Sequence, residues 1–208
     1  MRKQQFNLSS RLLSFSLSAE NQRLTLEQLN DSDYSWLSDR SPSELFAVYV
    51  NEKRYTAAQL SFLGCSPGVD RSMPGVQHGI FHFAGPGFEV DQHVLLYDDS
   101  AVLEMWPVVR AAGSATIRVG RLDAFSLDTS PAAYELLTFN SDWGQEFEPV
   151  RLRLEGNIQR ETRAGRSSKG QHPWFALFRE GAGVLSGAIA WSGNWVFRFE
   201  TLGQGATG

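Results

Sequence analysis

The sequence is poor in several things, and each shortage closes a class of function. Its one cysteine, Cys65, rules out an intramolecular disulfide and a cysteine-rich zinc site. No apolar run approaches the roughly 18 residues of a membrane-spanning helix. Basic charge is not in excess: 19 Lys and Arg stand against 23 Asp and Glu, a net charge of −4. No global positive field therefore argues for nucleic acid. Helical periodicity is missing too, since no stretch of about twelve residues keeps apolar positions three and four apart. With 208 residues, the chain is short of the ~250 that a barrel of eight strands and eight helices usually takes. There is no Gly-x-Ser-x-Gly elbow. Gly181, Gly183 and Gly187 are wrongly spaced for a phosphate loop and lack the Lys-Ser/Thr that should follow. No cofactor is expected.

What the chain does have is rings and turns: 14 Phe, 6 Trp, 5 Tyr and 19 Gly, a composition suited to many short strands. Leu13, Phe15 and Leu17 alternate with serines, the period of a half-buried strand. That period outweighs a signal-peptide reading of Arg2, Lys3, Leu12 and Ala19, so a cytoplasmic location is expected. Further strands are expected at Leu24–Leu26, Leu45–Val50, Leu60–Phe62, Ile80–Phe83, Phe88–Tyr97, Ile117–Val119, Leu152–Leu154, Trp174–Phe178, Val184–Trp191 and Trp195–Phe199. Ala84-Gly85-Pro86-Gly87 reads as a hairpin turn. Val102–Val109 contains Pro107, which assigns it to an edge or a bulge. Ser130–Leu137 is the one candidate short helix, because Pro131, Ala132, Ala133 and Glu135 suit a first turn. The fold class is therefore all-β, a large antiparallel β-sandwich of the supersandwich type with few short helices, taken as one domain over residues 1–208.

Two segments read as loops, Asn30–Pro42 and Arg160–Gly170. In the second, Arg160, Arg163, Arg166 and Lys169 surround a single Glu161. A solvated connection is the plain reading there, and an anion or polyhydroxyl contact the sharper one. His78, His82, Glu89 and His93 invite a metal reading. On a strand, however, positions i and i+4 lie about 13 Å apart, too far to share one ion. His82 and His93 are left to approach across a hairpin, and the expectation is no metal. Asp98-Asp99 suits a turn better than the paired carboxylates of a glycosidase, because neighbours on a strand point to opposite faces.

The C-terminal third is dense in aromatic and polar groups. Trp143 sits in Ser141-Asp142-Trp143-Gly144-Gln145-Glu146. His172 and Trp174 follow the basic loop. Trp191-Ser192-Gly193-Asn194-Trp195 reads as a tight hairpin flanked by tryptophans. Indole faces beside amides and carboxylates suit sugar rings, whose C–H faces pack on aromatics while their hydroxyls take hydrogen bonds. The competing reading is tryptophan in the core. Trp143, His172, Trp191, Asn194 and Trp195 are the candidate contacts, and no residue is assigned a catalytic role.

The stretch Arg166-Ser167-Ser168-Lys169-Gly170-Gln171-His172-Pro173-Trp174-Phe175-Ala176-Leu177, followed by Ala190-Trp191-Ser192-Gly193-Asn194-Trp195, resembles the N-terminal β-sandwich domain of family 36 glycoside hydrolases, mostly α-galactosidases. There an Arg-Gly-x-Ser-Ser-His-x-x-Asn-Pro-Phe-Phe-Ala-Leu stretch precedes a Tyr-Ser-Gly-Asn-Phe hairpin. Leu137–Glu146 is similar to the family's Leu-x-Gly-x-Trp-x-x-Glu segment, and Val109–Asp128 has the same look. In this chain His172-Pro173 replaces Asn-Pro, Lys169-Gly170 interrupts the Ser-Ser-His run, and Trp191 and Trp195 replace Tyr and Phe. The family's Asp-Phe-Arg segment has no match near Phe83–Glu89. The resemblance implies a non-catalytic accessory domain whose partners are a catalytic barrel, a galactosyl oligosaccharide, and other copies in a homo-oligomer. The family's two catalytic aspartates belong to a following barrel. The final glycine-rich residues suggest a module cut from something longer. A free-standing carbohydrate-binding module and a purely structural or oligomerisation domain are the alternatives.

Overall fold

A computed structural model describes residues 3–39, 43–68, 74–181 and 183–201. It is antiparallel β throughout, with no helix among the described residues. The all-β expectation holds. The chain divides into two compact units, Met1–Ser130 and Pro131–Gly208.

Among the described residues the first unit holds ten strands: β1 Gln4–Ser9, β2 Leu13–Glu20, β3 Arg23–Asp31, β4 Leu45–Val50, β5 Lys53–Thr56, β6 Ser61–Pro67, β7 Val76–Gly85, β8 Phe88–Tyr97, β9 Leu103–Ala111 and β10 Val119–Ser126. They form sheets in the orders β1-β2-β3, β10-β4-β5 and β6-β7-β8-β9. Local chemistry sets the turns. Asn21-Gln22 and Asn51-Glu52 each place two residues at positive φ between paired strands, the two-residue geometry that matches strand twist and favours asparagine first. Pro86-Gly87, with Gly87 at φ 81, joins β7 to β8 in the Pro–Gly pattern of a type II turn. Asp98-Asp99 lies in the turn between β8 and β9. Pro107 sits on β9, an edge strand, where a missing N–H is tolerated.

Alternation builds the core of this unit. Phe81 and Phe83 of β7 and Val90, Val94 and Leu96 of β8 are buried on one face of their sheet. Phe83 packs edge-on against Phe46 at 5.0 Å, and Phe6 meets both Phe62 and Phe81. These T-shaped contacts add to the area burial of each ring.

The second unit holds β11 Tyr134–Asp142, β12 Gln145–Arg153, β13 Ile158–Thr162, β14 Gly170–Arg179, β15 Val184–Ala188 and β16 Trp195–Phe199, in sheets β12-β11-β14-β15 and β13-β16. Its core is Leu136, Ala176, Leu177 and Trp195, with Phe175 edge-on to Phe197 and Phe199.

Three local expectations are corrected. The candidate helix Ser130–Leu137 is instead the approach to β11, because Tyr134 onward pairs with β14 on one side and, from Glu135, with β12 on the other. Two ladders outweigh the weak helical preference of Pro-Ala-Ala. Trp191–Trp195 is not a hairpin: β15 pairs with β14 and β16 with β13, so the segment crosses between sheets. Arg160 and its neighbours belong to β13, leaving 163–169 as the loop. Residues 40–42 of the first expected loop, and 202–208 at the chain end, lie outside the described residues.

Candidate functional site

Most of the sequence-derived candidates gather around one loop of the second unit. The β11–β12 hairpin closes through Trp143-Gly144, with Gly144 at φ 76 and Asp142 paired with Gln145. This turn lifts Trp143 to 95% exposure. The Asp142 carboxylate accepts the Trp143 backbone N–H at 2.9 Å and pairs with the Lys169 ammonium from the loop. Lys169 foremost, then the Trp143 amide, holds the Asp142 carboxyl below the usual carboxylate range.

The loop is pinned at two further points. Gly165 donates its N–H to Asn194 Oδ1 at 2.9 Å, and Trp195 Nε1 donates to the Ser167 carbonyl at 2.6 Å. Asn194 and Trp195 therefore act as loop anchors, and Trp195 is only 6% exposed. Trp191 remains 63% exposed. Its ring lies over Gly193, where a Cβ would come within 2.5 Å of the indole nitrogen, so a larger residue at 193 would push this exposed ring aside. Two exposed indoles and the cations Arg163, Arg166 and Lys169 thus belong to one loop system.

His172 lies on β14 and makes none of the bonds that hold the loop. Register between β11 and β14 slips from Thr138↔Phe175 to Asn140↔Gln171. This irregularity lets Pro173 occupy a strand with neighbours on both sides. It also stacks His172 on Phe147, with centroids 4.0 Å apart and planes at 19°. Phe147 is itself the extra residue of a bulge in β12, since Asn140 faces Glu148 and Ser141 faces Glu146. It holds φ 59, a conformation that costs a non-glycine residue about 1–2 kcal/mol, and it is 65% exposed. Sequence reading missed Phe147 and the Asp142–Lys169 pair. Neither a bulge nor a contact 27 positions apart leaves a periodic signal.

The first unit carries a second polar constellation, on the face of the β6–β9 sheet opposite its core. His93 does not meet His82, which is paired with Asp91. It meets His78 instead, Nδ1 to Nε2 at 3.0 Å, and stacks on Trp106 at 4.8 Å and 13°. Burial first, then the charge of His78, lowers the proton affinity of His93. Among the described residues no three His, Cys, Asp or Glu are placed to hold a metal.

The sequence profile described as the Glycosyl hydrolase family 36 N-terminal domain matches residues 84–208. No curated protein sequence matches the chain. Among solved structures, the family 36 α-galactosidase of Geobacillus stearothermophilus superposes with a TM-score of 0.75 at 17% identity, over 95% of this chain and 35% of its own. The galactosidase domain of an α-galactosidase–sucrose kinase gives 0.76 at 17%, over 94% and 35%. The α-galactosidase of Lactobacillus brevis gives 0.75 at 17%, over 94% and 34%. At that identity the likeness shows the fold, and the chain spans about a third of the length of these structures.

Proposed function

Because the chain belongs to the family of the glycosyl hydrolase family 36 N-terminal domain, we propose that it is the non-catalytic accessory part of an α-galactosidase-like glycoside hydrolase. It packs on a catalytic barrel and brings aromatic and polar groups to the rim of that barrel's sugar site. On this reading the two compact units work together as one accessory domain, and the parent assembles as a homo-oligomer. The parent would use two carboxyl groups about 5–5.5 Å apart in a retaining mechanism, neither of them supplied by this chain.

The observation that carries the reading is Trp143. An indole held 95% exposed on a hairpin tip, with its flanking carboxylate tied to Lys169, is organised to be covered by something else. Trp191, Asn194, Trp195 and His172 serve with it: Trp191 as a second apolar face, Asn194 and Trp195 by holding the loop, and His172 by supporting Phe147. The same exposed indoles favour one alternative, a free-standing carbohydrate-binding module.

Two measurements on the purified chain test this. Hydrolysis of p-nitrophenyl α-galactoside should stay at the uncatalysed rate, and turnover would overturn the accessory role. Titration calorimetry with raffinose should show no binding. Saturable heat lost in Trp143→Ala and Trp191→Ala would move the assignment to the binding module.

A further inference from the structure

One side-chain row on the first unit is not used by that reading. Four strands each send one residue to the face opposite the core: Ser66 from β6, His82 from β7, Asp91 from β8 and Arg110 from β9. His82 and Asp91 are direct cross-strand partners. The position opposite His82 on β6 is Gly64, which puts no side chain between the imidazole and Ser66. Ser66 Oγ lies 2.7 Å from His82 Nε2, and His82 Nδ1 lies 2.7 Å from Asp91 Oδ1. Arg110 Nη1 holds the other oxygen, Asp91 Oδ2, at 2.5 Å.

The direction of these bonds follows from charge. Burial raises the proton affinity of Asp91, but the bonds from His82 and Arg110 outweigh it, so the carboxyl is held below its usual range. A carboxylate only accepts, so Nδ1 carries the imidazole proton. In the neutral ring Nε2 then offers a lone pair, and the Ser66 hydroxyl donates to it. Nucleophile, base and orienting acid stand in the order that activates serine. The nearby open cleft is lined by Phe6, Cys65 and Phe81 from the core side and by none of His82, Asp91 or Arg110, so a substrate reaches the Ser66 hydroxyl from the open outer face of the sheet.

We propose that Ser66 is an activated nucleophile that takes up acyl groups from small activated esters or thioesters. Oγ bonds to the acyl carbon as its proton passes to His82 Nε2. The carbon–oxygen or carbon–sulfur bond to the leaving group breaks, and His82 returns the proton to the departing alkoxide or thiolate. The products are acyl-Ser66 and a free alcohol or thiol, with no oxidant or reductant involved. Asp91 is a positioning residue that keeps the tautomer and stabilises the transient imidazolium, and Arg110 fixes Asp91. The residue after Ser66 is Pro67, which has no N–H to offer a developing oxyanion. Attack is therefore slow and the acyl group is retained, so the site is one of modification rather than of rapid turnover.

The test is to incubate the purified chain with a fluorophosphonate, which loses fluoride to the attacking Oγ, and with p-nitrophenyl acetate, and to map adducts by peptide mass spectrometry. One adduct per chain is expected, at Ser66, and none there in Ser66→Ala. His82→Gln should slow labelling about 100-fold with the melting temperature retained. Asp91→Asn should slow it and Asp91→Glu restore part of the rate, which a purely structural role does not predict. No adduct at Ser66 in the unaltered chain would overturn the proposal, as would labelling spread over exposed serines at a rate indifferent to His82. The unaltered chain alone decides this if a variant fails to fold.

Discussion

The two compact units solve the same folding problem to different degrees. Among the described residues, twenty-five buried apolar side chains lie in Met1–Ser130 and only four in Pro131–Gly208. The second unit still places Trp143, Phe147, Leu152, Val184 and Trp191 in solvent. Among the described residues the first unit leaves seven large apolar side chains exposed, Trp106 and Phe125 among them, so the units differ in how much they bury rather than in how much they expose. The first unit is organised around its own interior. The second unit buries far less, and its loop is held by specific bonds from Lys169, Asn194 and Trp195 rather than by core volume. Among the described residues seven rings of the first unit are buried, whereas in the second only Trp195 is, and Trp143, Phe147 and Trp191 stand exposed while Phe175, Phe197 and Phe199 pack on one another.

Phe83→Ala should sharpen that contrast most, removing a fully buried ring packed on Phe46 and Phe62. A loss of about 3–5 kcal/mol in denaturant unfolding is expected. A loss under about 1 kcal/mol would mean the first unit's core is looser than its packing indicates.

Acid should narrow the gap by weakening the better-packed unit. His93 binds a proton less readily when folded, through burial first and the charge of His78 second. As pH falls below about 6.5, the unfolded chain protonates first and stability drops. Asp91 acts in the same sense: its folded affinity is lowered, so its contribution is present above the ordinary carboxylate range and disappears as pH falls through the folded value. The His78–His93 bond accommodates one proton between the facing nitrogens, and a second sets N–H against N–H. Trp106, stacked on His93, should report the separation as a change in emission that His93→Gln removes. A flat titration of emission and melting temperature between pH 7 and 5 would contradict this.

Trp195→Phe keeps most of the ring but deletes the bond to the Ser167 carbonyl. It should lower stability by about 1 kcal/mol and speed amide exchange across residues 163–169, leaving exchange in β7 and β8 unchanged. Equal acceleration in both units would break the comparison. Trp143→Ala should have the smallest effect on folding, within about 0.5 kcal/mol, because the indole touches little. On the proposed accessory role, an α-galactosidase-like enzyme carrying this domain with that substitution should show a raised KM for raffinose at unchanged melting temperature.

Much of the fold can be read from alternation and turn chemistry. Leu13, Phe15 and Leu17 form the buried row of β2, Pro86-Gly87 closes its hairpin, and Pro107 marks an edge. The same rules fail where tertiary pairing decides. Nothing local tells Tyr134 that strands will flank it on both sides, so Pro131-Ala132-Ala133 looks like a helix start. Nothing local tells Trp191 that its segment leaves one sheet for another. The candidate site divides the same way. Exposed tryptophans beside a basic loop are visible as composition. The roles of Asn194 and Trp195 as anchors depend on which strands pair, and the meeting of His93 with His78 rather than His82 depends on the β7–β8 register, in which His93 stands opposite Ile80.

Phe147 shows what such a bulge imposes on change over time. Its backbone favours glycine or asparagine, while the imidazole stacked on it favours an aromatic ring. These demands pull substitution in opposite directions. A lineage that no longer needs the ring should drift quickly toward glycine there, whereas one that still needs it must keep a strained aromatic. The residue found at this single position is thus a compact record of whether the surface around it is still in use.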